Sequence, residues 1–410
     1  MPKILAGRRT FCKIGGRKMV EWIHMAIMTG GILLQLPPFQ LERWFAQFEF
    51  TVRLNLAASC AAPTSTAELL ALAGESDRQE YPRLNLDYIE NPGGERLRTA
   101  IAGWYTNLGA DNIQVTTGAS EAVFIIMNLL LAPGDRIVVQ DPCYQSLSGV
   151  AEALGIGVVR WPLGAANGFH PGLDELESLI TPGVRMVVVN HPHNPTGVML
   201  TRNEQRRLAD LTERHGIWLF SDEVYRGTVY RREDELPAAA DLSAMAISVG
   251  DMTKPFGLGG IRIGWVACQN RGLLGRVSAF RDYTTMCSAA PSEFLAALAM
   301  EHREELLDRK TALARINLVR LAEFIDGYPG VLSWSPPAAG FTGFVRFDLP
   351  MSSEEFCRGL VERESALLLP GSVFGVKNHF RIGFGRDEQG FRAGLQAIGR
   401  YLDYLTKLSP

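Results

Sequence analysis

Short apolar runs rich in β-branched residues alternate with helical stretches through the middle of the chain, and this alternation constrains the fold most strongly. The runs occupy residues 136–140, 157–161, 185–190, 217–221, 246–250 and 263–268. Helical stretches separate several of them, at residues 120–131, 144–154 and 202–215. Near-continuous apolar strands interleaved with helices predict an α/β fold whose sheet is mainly parallel and covered on both faces.

The pattern changes towards the C-terminus. A long helical stretch at residues 292–326 is followed by strands near residues 343–348 and 379–384 and by helices at residues 353–364 and 388–405. This order predicts a smaller α+β domain. We therefore divide the chain into four segments: a disordered extension (1–36), an N-terminal segment that joins the small domain (37–75), a large domain (76–295) and the C-terminal small domain (296–410).

Composition narrows the class of protein. The 410 residues include 47% hydrophobic and 21% charged residues, which is typical of a globular protein large enough for two domains. A formal net charge of −3 gives no electrostatic reason to expect nucleic acid as a partner. The six cysteines include no CxxC pair, so we expect no disulfide framework, no metal site and a cytoplasmic location.

The N-terminus imitates an export signal. Six basic residues precede the first acid, Glu21, and residues 25–36 carry no charge. Against a signal peptide, Glu21 and His24 interrupt the approach to the apolar run, which is also too short to span a bilayer. We interpret residues 1–36 as an upstream extension and expect no membrane partner, with an export signal as the alternative.

A lysine and an arginine follow the run at residues 246–250, inside a glycine-rich loop. Ligands of parallel α/β sheets bind at the carboxyl ends of the strands, so polar residues at these positions are candidates for a site. A desolvated lysine loses its proton more readily, which makes Lys254 a candidate nucleophile towards a carbonyl. Arg262 is suited to hold an anion. A surface loop with two solvated cations fits the pattern equally well.

Other polar residues follow the remaining runs. Gly118, Ala119 and Ser120 open a helix, where free N–H groups make either a phosphate seat or an ordinary N-cap. Tyr144 presents an aromatic face that either stacks on a planar ring or belongs to the core.

Three further candidate site residues are an asparagine, an aspartate and an arginine. Asn194 lies between two prolines, either as a rigid amide donor or as part of a plain turn. Asp222 follows a buried run, and an acid there needs a cation, such as a protonated pyridine nitrogen or a structural salt-bridge partner. Arg381 lies in an apolar strand and calls for an anion, either a substrate carboxylate or a core carboxylate.

The order and spacing of these residues resemble class I and II aminotransferases, the fold type I enzymes that depend on pyridoxal phosphate. The motif residues are Gly118, Tyr144, Asn194, Asp222, Tyr225, Lys254, Arg262 and Arg381. Segments 88–93 and 369–375 are similar as well, so the resemblance runs from about residue 54 to the C-terminus. It implies a large domain with a mainly parallel seven-stranded sheet, a smaller α+β domain, and transfer of an amino group between an L-amino acid and a 2-oxo acid.

The resemblance also implies roles. Pyridoxal 5′-phosphate would be the cofactor, and Lys254 would form the internal aldimine with it and then carry a proton at the α-carbon. Asp222 would keep the pyridine nitrogen protonated. The residues implied to bind the ring or the phosphate are Gly118, Ala119, Ser120, Tyr144, Asn194, Tyr225, Thr253 and Arg262. Arg381, beside Asn194, would bind the α-carboxylate, and Tyr88 would reach the phosphate of the neighbouring subunit in a homodimer with shared active sites.

Two positions depart from the family pattern. Asp251 stands where the family usually has a hydroxyl for the phosphate, and since a carboxylate repels a phosphate, we expect it to turn away or towards a cation. Residues 54–60 replace the usual Gly-Glu-Pro-like turn. Both departures resemble the capreomycidine synthase-like subgroup, whose members handle arginine by cyclisation or oxidation. An arginine-directed cyclase or oxidase is therefore the alternative function.

Overall fold

The computed structural model of this chain describes residues 35–408, with side chains to residue 407. The extension at residues 1–36, predicted to be disordered, falls almost entirely outside the described residues. From Pro37 onward the chain forms one compact unit. Within the described part, no helix has the length and apolar character that a membrane crossing requires.

Helices and strands alternate through most of the described chain. The α-helices are α1 (Gln40–Phe48), α2 (Thr66–Leu72), α3 (Glu75–Glu80), α4 (Glu95–Ala102), α5 (Ala119–Leu130), α6 (Ser146–Ala153), α7 (Leu173–Leu179), α8 (Arg202–Arg214), α9 (Ala239–Leu242), α10 (Thr253–Phe256), α11 (Arg271–Arg281), α12 (Ala290–Glu301), α13 (Arg303–Asp326), α14 (Ser353–Glu364) and α15 (Glu388–Leu408). The strands are β1 (Leu54–Asn55), β2 (Ile113–Thr116), β3 (Arg136–Asp141), β4 (Gly157–Pro162), β5 (Val184–Asn190), β6 (Trp218–Asp222), β7 (Ala246–Asp251), β8 (Gly264–Ala267), β9 (Leu332–Trp334), β10 (Thr342–Phe347), β11 (Ala366–Leu367), β12 (Leu369–Pro370) and β13 (His379–Gly383).

A seven-stranded sheet of order β2-β8-β7-β6-β5-β3-β4 organises the large part of the molecule. Four of its six strand pairs are parallel, and only β8 runs antiparallel to its two neighbours. Alternate residues of β5 enter different cores: Met186 and Val188 pack with α5, while Val187 and Val189 pack with α8. Burial on both faces explains why these strands read as continuous apolar runs.

A second, antiparallel sheet of order β12-β13-β10-β9 packs with helices of the C-terminal part. Its core, in which Phe344, Phe347 and Phe380 are buried, also takes in Leu41 and Trp44 of α1. The short strand β1 pairs in parallel with β11. The predicted fold class, an α/β fold with a mainly parallel seven-stranded sheet and a smaller α+β part, is confirmed, whereas the segment boundaries at residues 37, 76 and 296 stay predictions.

The helical stretch predicted at residues 292–326 is helical except for a break at His302, between α12 and α13. The segment at residues 54–60, which replaces the usual turn of the family, forms a strand only at Leu54 and Asn55.

Candidate active site

Strands β5, β6 and β7 end at the same edge of the large sheet and bring their following residues into one cavity of about 240 Å³. This convergence follows from parallel pairing, which aligns the carboxyl ends of neighbouring strands. Nine of the predicted site residues line the cavity: Ala119, Ser120, Tyr144, Asn194, Asp222, Tyr225, Thr253, Lys254 and Arg262. Glu42, Asn190 and Asp251 line it as well.

Lys254 lies in the short helix α10, directly after β7. Its Nζ donates to Ser59 Oγ at 3.3 Å, and the backbone carbonyl of Lys254 accepts from Ala61 N at 2.9 Å. Burial lowers the pKa of Lys254, but the acidic groups of Tyr225, Cys60, Tyr144 and Asp251 outweigh it, so the pKa is raised overall. Desolvation thus acts on the lysine as the sequence argument expected, while the surrounding groups, which that argument did not include, act in the opposite direction; the role of Lys254 as a nucleophile stays a prediction.

Asp222 ends β6 and is buried. Its Oδ1 accepts from Val224 N at 3.1 Å. Burial raises the pKa of this carboxyl to about 7; the Val224 amide opposes the shift, Asp251 adds to it and Lys254 opposes it. Asn190 donates through its Nδ2 to the backbone carbonyl of Asp222 at 3.0 Å and so fixes this strand end against β5. The result is a carboxyl group whose charge depends strongly on a cation nearby.

Arg381 stands on β13 of the smaller sheet and is completely buried behind the cavity. Its Nη1 donates to Asn194 Oδ1 at 2.9 Å, and its Nη2 donates to the Ala57 carbonyl at 2.8 Å. Burial lowers its pKa, which Tyr225 and Tyr144 oppose. Its Nε lacks a hydrogen-bond partner within the described residues. The guanidinium is therefore held by both of its terminal nitrogens, and its Nε–H is left for another acceptor.

Asn194 and Tyr225 form the wall next to Arg381. The backbone N–H of Asn194 donates to Asn190 Oδ1 at 2.8 Å, which fixes the position of its side chain. The Tyr225 hydroxyl is buried, and no described residue accepts or donates a hydrogen bond there. A buried hydroxyl without a partner costs free energy, so this group is prepared for a ligand atom in the cavity.

The opposite end of the cavity is formed by Gly118, Thr253, Asp251 and Arg262, close to the start of α5. Gly118 has a φ of +76°, and a Cβ atom there would lie 2.7 Å from Arg262 Nη2. The backbone conformation therefore favours glycine at this position, and any side chain there would also displace the guanidinium of Arg262. Asp251 was expected to turn away or towards a cation, and the structure adds contacts of another kind: its Oδ2 accepts from Ala119 N at 2.9 Å, and its Oδ1 accepts from Thr253 N.

Three predicted site residues do not line the cavity: Gly118 and Arg381 adjoin residues that do, whereas Tyr88 lies on the surface of the chain. Its side chain is 77% exposed. The segment at residues 54–60, by contrast, supports the site in a way that the sequence analysis missed, through the Ala57 carbonyl on Arg381 and the Ser59 hydroxyl on Lys254. These contacts join residues about 195 to 324 positions apart, so no local motif signals them.

The model of the family "Aminotransferase class I and II" matches residues 66–398 of the chain. The chain belongs to this family. Capreomycidine synthase of Streptomyces vinaceus is 32% identical over 368 residues, which cover 90% of this chain and 94% of that protein.

Two solved structures are similar in both fold and sequence. A PLP-dependent aminotransferase from Streptococcus suis has a TM-score of 0.86 and 29% identity, and the match covers 90% of this chain and 99% of that one. The PLP-dependent cyclase OrfR has a TM-score of 0.84 and 32% identity, with 92% and 98% covered. The predicted resemblance to this family is confirmed.

Pyridoxal 5′-phosphate is the cofactor of this family member. The described side chains fit the group on observations made on this chain. The buried Tyr225 hydroxyl lacks a partner, and Asp222 is a buried carboxyl that a pyridinium nitrogen would pair with. Within residues 35–408, no group of three or more His, Cys, Asp or Glu side chains is arranged to hold a metal ion.

Proposed function

We propose that this chain is a transaminase that moves an amino group between an L-amino acid and a 2-oxo acid. The observation that carries the proposal is that Lys254, Asp222 and Tyr225 share one cavity whose wall is held by the Arg381–Asn194 hydrogen bond. This set combines a mobile base, a charge partner for a ring nitrogen and an anion holder at fixed positions. Proton transfer at an α-carbon needs these three parts.

When bound, pyridoxal phosphate supplies an aldehyde that condenses with amines and a ring that withdraws electrons from the α-carbon. The residues of the chain provide the remainder. Arg381, whose Nε–H has no partner among the described residues, would bind the α-carboxylate of the substrate and so orient the bond from the α-carbon to its hydrogen. Lys254 Nζ would move the proton at that carbon, and Asp222 would pair with a protonated ring nitrogen. The Tyr225 hydroxyl would donate to the ring oxygen.

The covalent part of the proposal is tested by borohydride reduction of the purified protein followed by peptide mass spectrometry. We expect a pyridoxyl adduct on Lys254 and none in the Lys254→Ala variant. Lys310→Ala is the matched control, since Lys310 is another partly buried lysine, whose Nζ donates to the Ala62 carbonyl at 2.8 Å. An adduct elsewhere, or none on the unmodified chain, would refute the assignment.

Amino transfer itself is tested by the need for an acceptor. A set of L-amino acids is incubated with the holoenzyme with and without a 2-oxo acid such as pyruvate. We expect a new 2-oxo acid to accumulate only when the acceptor is present. Product formed equally well without an acceptor would rule out amino transfer and favour the second candidate.

The second candidate is cyclisation or oxidation of an arginine-like amino acid, and Glu42 favours it. Glu42 is presented by α1 at the cavity, with its Oε1 3.5 Å from the Tyr144 hydroxyl, at the limit of a hydrogen bond. A carboxylate at the cavity wall attracts a cationic side chain. The similarity to capreomycidine synthase and to the cyclase OrfR supports the same reading.

Glu42→Gln tests the selection of a cationic side chain, on which the second candidate depends. If Glu42 faces a cationic side chain, the variant raises KM for arginine by roughly tenfold, about 1.4 kcal/mol, and leaves KM for a neutral amino acid unchanged. Glu49→Gln is the control, because Glu49 directly follows the same helix and does not line the cavity. Equal effects on arginine and on neutral amino acids would contradict a role in selecting a cation.

We also propose that the enzyme is a cytoplasmic homodimer. The exposed Tyr88 supports the homodimer, since a residue of this motif that stays outside its own cavity is free to reach another subunit's site.

A further inference from the structure

The Asp251 carboxylate accepts hydrogen bonds from two backbone N–H groups at the end of the cavity where the phosphate would bind. The residue ends β7 and is buried. Its Oδ2 accepts from Ala119 N at 2.9 Å, and its Oδ1 accepts from Thr253 N. Ala119 begins α5, so its N–H is one of the unpaired donors at the start of a twelve-residue helix.

A carboxylate and a phosphate are both hydrogen-bond acceptors, and each of these N–H groups carries one hydrogen. Because these two N–H groups already donate to Asp251, they are largely unable to donate to a phosphate group placed beside them. The start of α5 carries a partial positive charge, but the Asp251 carboxylate already interacts with it. Less of this charge is therefore available to a phosphate group.

Charge balance acts in the same direction. Arg262 is the cation among the predicted phosphate ligands, and Gly118 lies against both Arg262 and Asp251. A Cβ atom on Gly118 would lie 2.7 Å from Arg262 Nη2 and 3.4 Å from Asp251 Oδ2. The guanidinium and the carboxylate thus face the same space, and their formal charges sum to zero. A phosphate dianion entering that space is attracted by Arg262 and repelled by Asp251.

We propose that Asp251 makes this end of the cavity a weak phosphate site and so lowers the affinity of the chain for the phosphorylated cofactor. The inference rests on the proposed function and on the placement of the cofactor phosphate beside Gly118 and Arg262 that the family resemblance implies. Its consequence concerns the amine form of the cofactor, which has no covalent bond to Lys254. That form depends on the phosphate contacts and exchanges with solution more readily when they are weak.

The test measures the contribution of the phosphate separately from the covalent bond. Pyridoxamine and pyridoxamine 5′-phosphate carry no aldehyde, so neither forms a bond with Lys254. Calorimetric titration of the full-length, cofactor-free chain gives a Kd for each, and their ratio isolates the phosphate. We expect Asp251→Asn to increase the advantage of the phosphorylated form by roughly tenfold, because the substitution removes the charge and releases one backbone N–H.

Asp251→Ser is the second variant, which keeps the test decisive if the amide variant folds poorly. Asp241→Asn is the matched control: Asp241 also accepts from two backbone N–H groups, of Thr106 and Asn107, and does not line the cavity. Its ratio is expected to equal that of the parent chain. An unchanged or smaller ratio in folded Asp251 variants would overturn the inference. Failure of the parent chain to bind either compound would overturn the proposed function instead.

Discussion

At the scale of single residues, Asp222 shows how a site is built at the expense of stability. The carboxyl is buried at the end of β6, and burial raises its pKa to about 7. The folded pKa thus lies above the ordinary value of 3.8. A group of this kind favours folding while it is protonated, below pH 4, and this contribution is lost as the pH rises through 7.

Asp222→Asn is therefore expected to stabilise the cofactor-free chain at pH 8, on the order of 2 kcal/mol, and to change it little at pH 4. The same variant is expected to lower kcat of the holoenzyme by roughly a hundredfold or more, because the ring nitrogen loses its charge partner. Urea unfolding at the two pH values and steady-state kinetics measure the two effects.

Asp308→Asn serves as the control for this prediction. Asp308 is exposed and its Oδ2 lies 3.1 Å from Arg232 Nη2, so the substitution should change the free energy of unfolding by less than about 0.5 kcal/mol at either pH. Equal stability of the Asp222→Asn variant and the parent chain at pH 8 would show that the buried carboxyl costs nothing.

At the scale of elements, helix α1 is held by its tertiary contacts. Its N-cap residue, Phe39, makes no side-chain capping hydrogen bond. Leu41 and Trp44 are buried against the smaller sheet, and Trp44 Nε1 donates to the Leu368 carbonyl at 3.0 Å. A nine-residue helix is marginal by itself in water, so these contacts decide where Glu42 lies.

Trp44→Phe removes the hydrogen bond and part of the buried ring. We expect it to lower the free energy of unfolding by about 1–3 kcal/mol, because the Leu368 carbonyl is left without its partner in a buried position. Phe50→Ala, just after the same helix, is the control, since Phe50 is 93% exposed and its loss should matter little. Similar costs for both substitutions, measured by chemical denaturation, would contradict the anchoring role.

The elements that the sequence predicted best are apolar strands of the large sheet, most of them buried on both faces; the edge strand β4 is the more exposed one. Strands β3 to β7 begin and end within one residue of the apolar runs. Strand β2 was missed, because its residues Gln114 and Thr116 are polar although both are buried. Gln114 Nε2 donates to the Asn91 carbonyl at 2.9 Å, and Thr116 Oγ1 donates to the Gly118 carbonyl at 3.0 Å. Only the folded chain supplies these partners, so the hydrophobic pattern carries no signal of the strand.

At the scale of the whole molecule, several large apolar side chains lie on the surface. Leu86 is 83% exposed, Tyr88 77% and Tyr283 92%. Exposed apolar groups of this size are common at subunit interfaces. They agree with the proposed homodimer, in which Tyr88 of each subunit serves the cavity of the other.

Co-expression of two defective chains tests this sharing. Lys254→Ala removes the amine that binds the cofactor. Tyr88→Ala is expected to weaken cofactor binding, so that more cofactor is needed before borohydride traps it on Lys254. In a mixed dimer one site carries both defects and the other carries neither. Random pairing therefore restores roughly a quarter of the sites at low cofactor concentration. No recovery, or a monomer in sedimentation experiments, would contradict shared sites.

The sequence by itself determined the α/β fold and the order of the chemical groups along the chain. Apolar runs at buried strands and polar residues directly after them follow from periodicity and from where parallel strands end. The electrostatic state of the site was decided by the tertiary structure alone. Groups far from Lys254 in the sequence, among them Tyr225 and Tyr144, raise its pKa. The Ala57 carbonyl accepts a hydrogen bond from Arg381, and Asp251 accepts from the N–H groups of Ala119 and Thr253. Charge interactions and hydrogen bonds depend on distances through space, and positions far apart in the sequence set those distances only when the chain is folded.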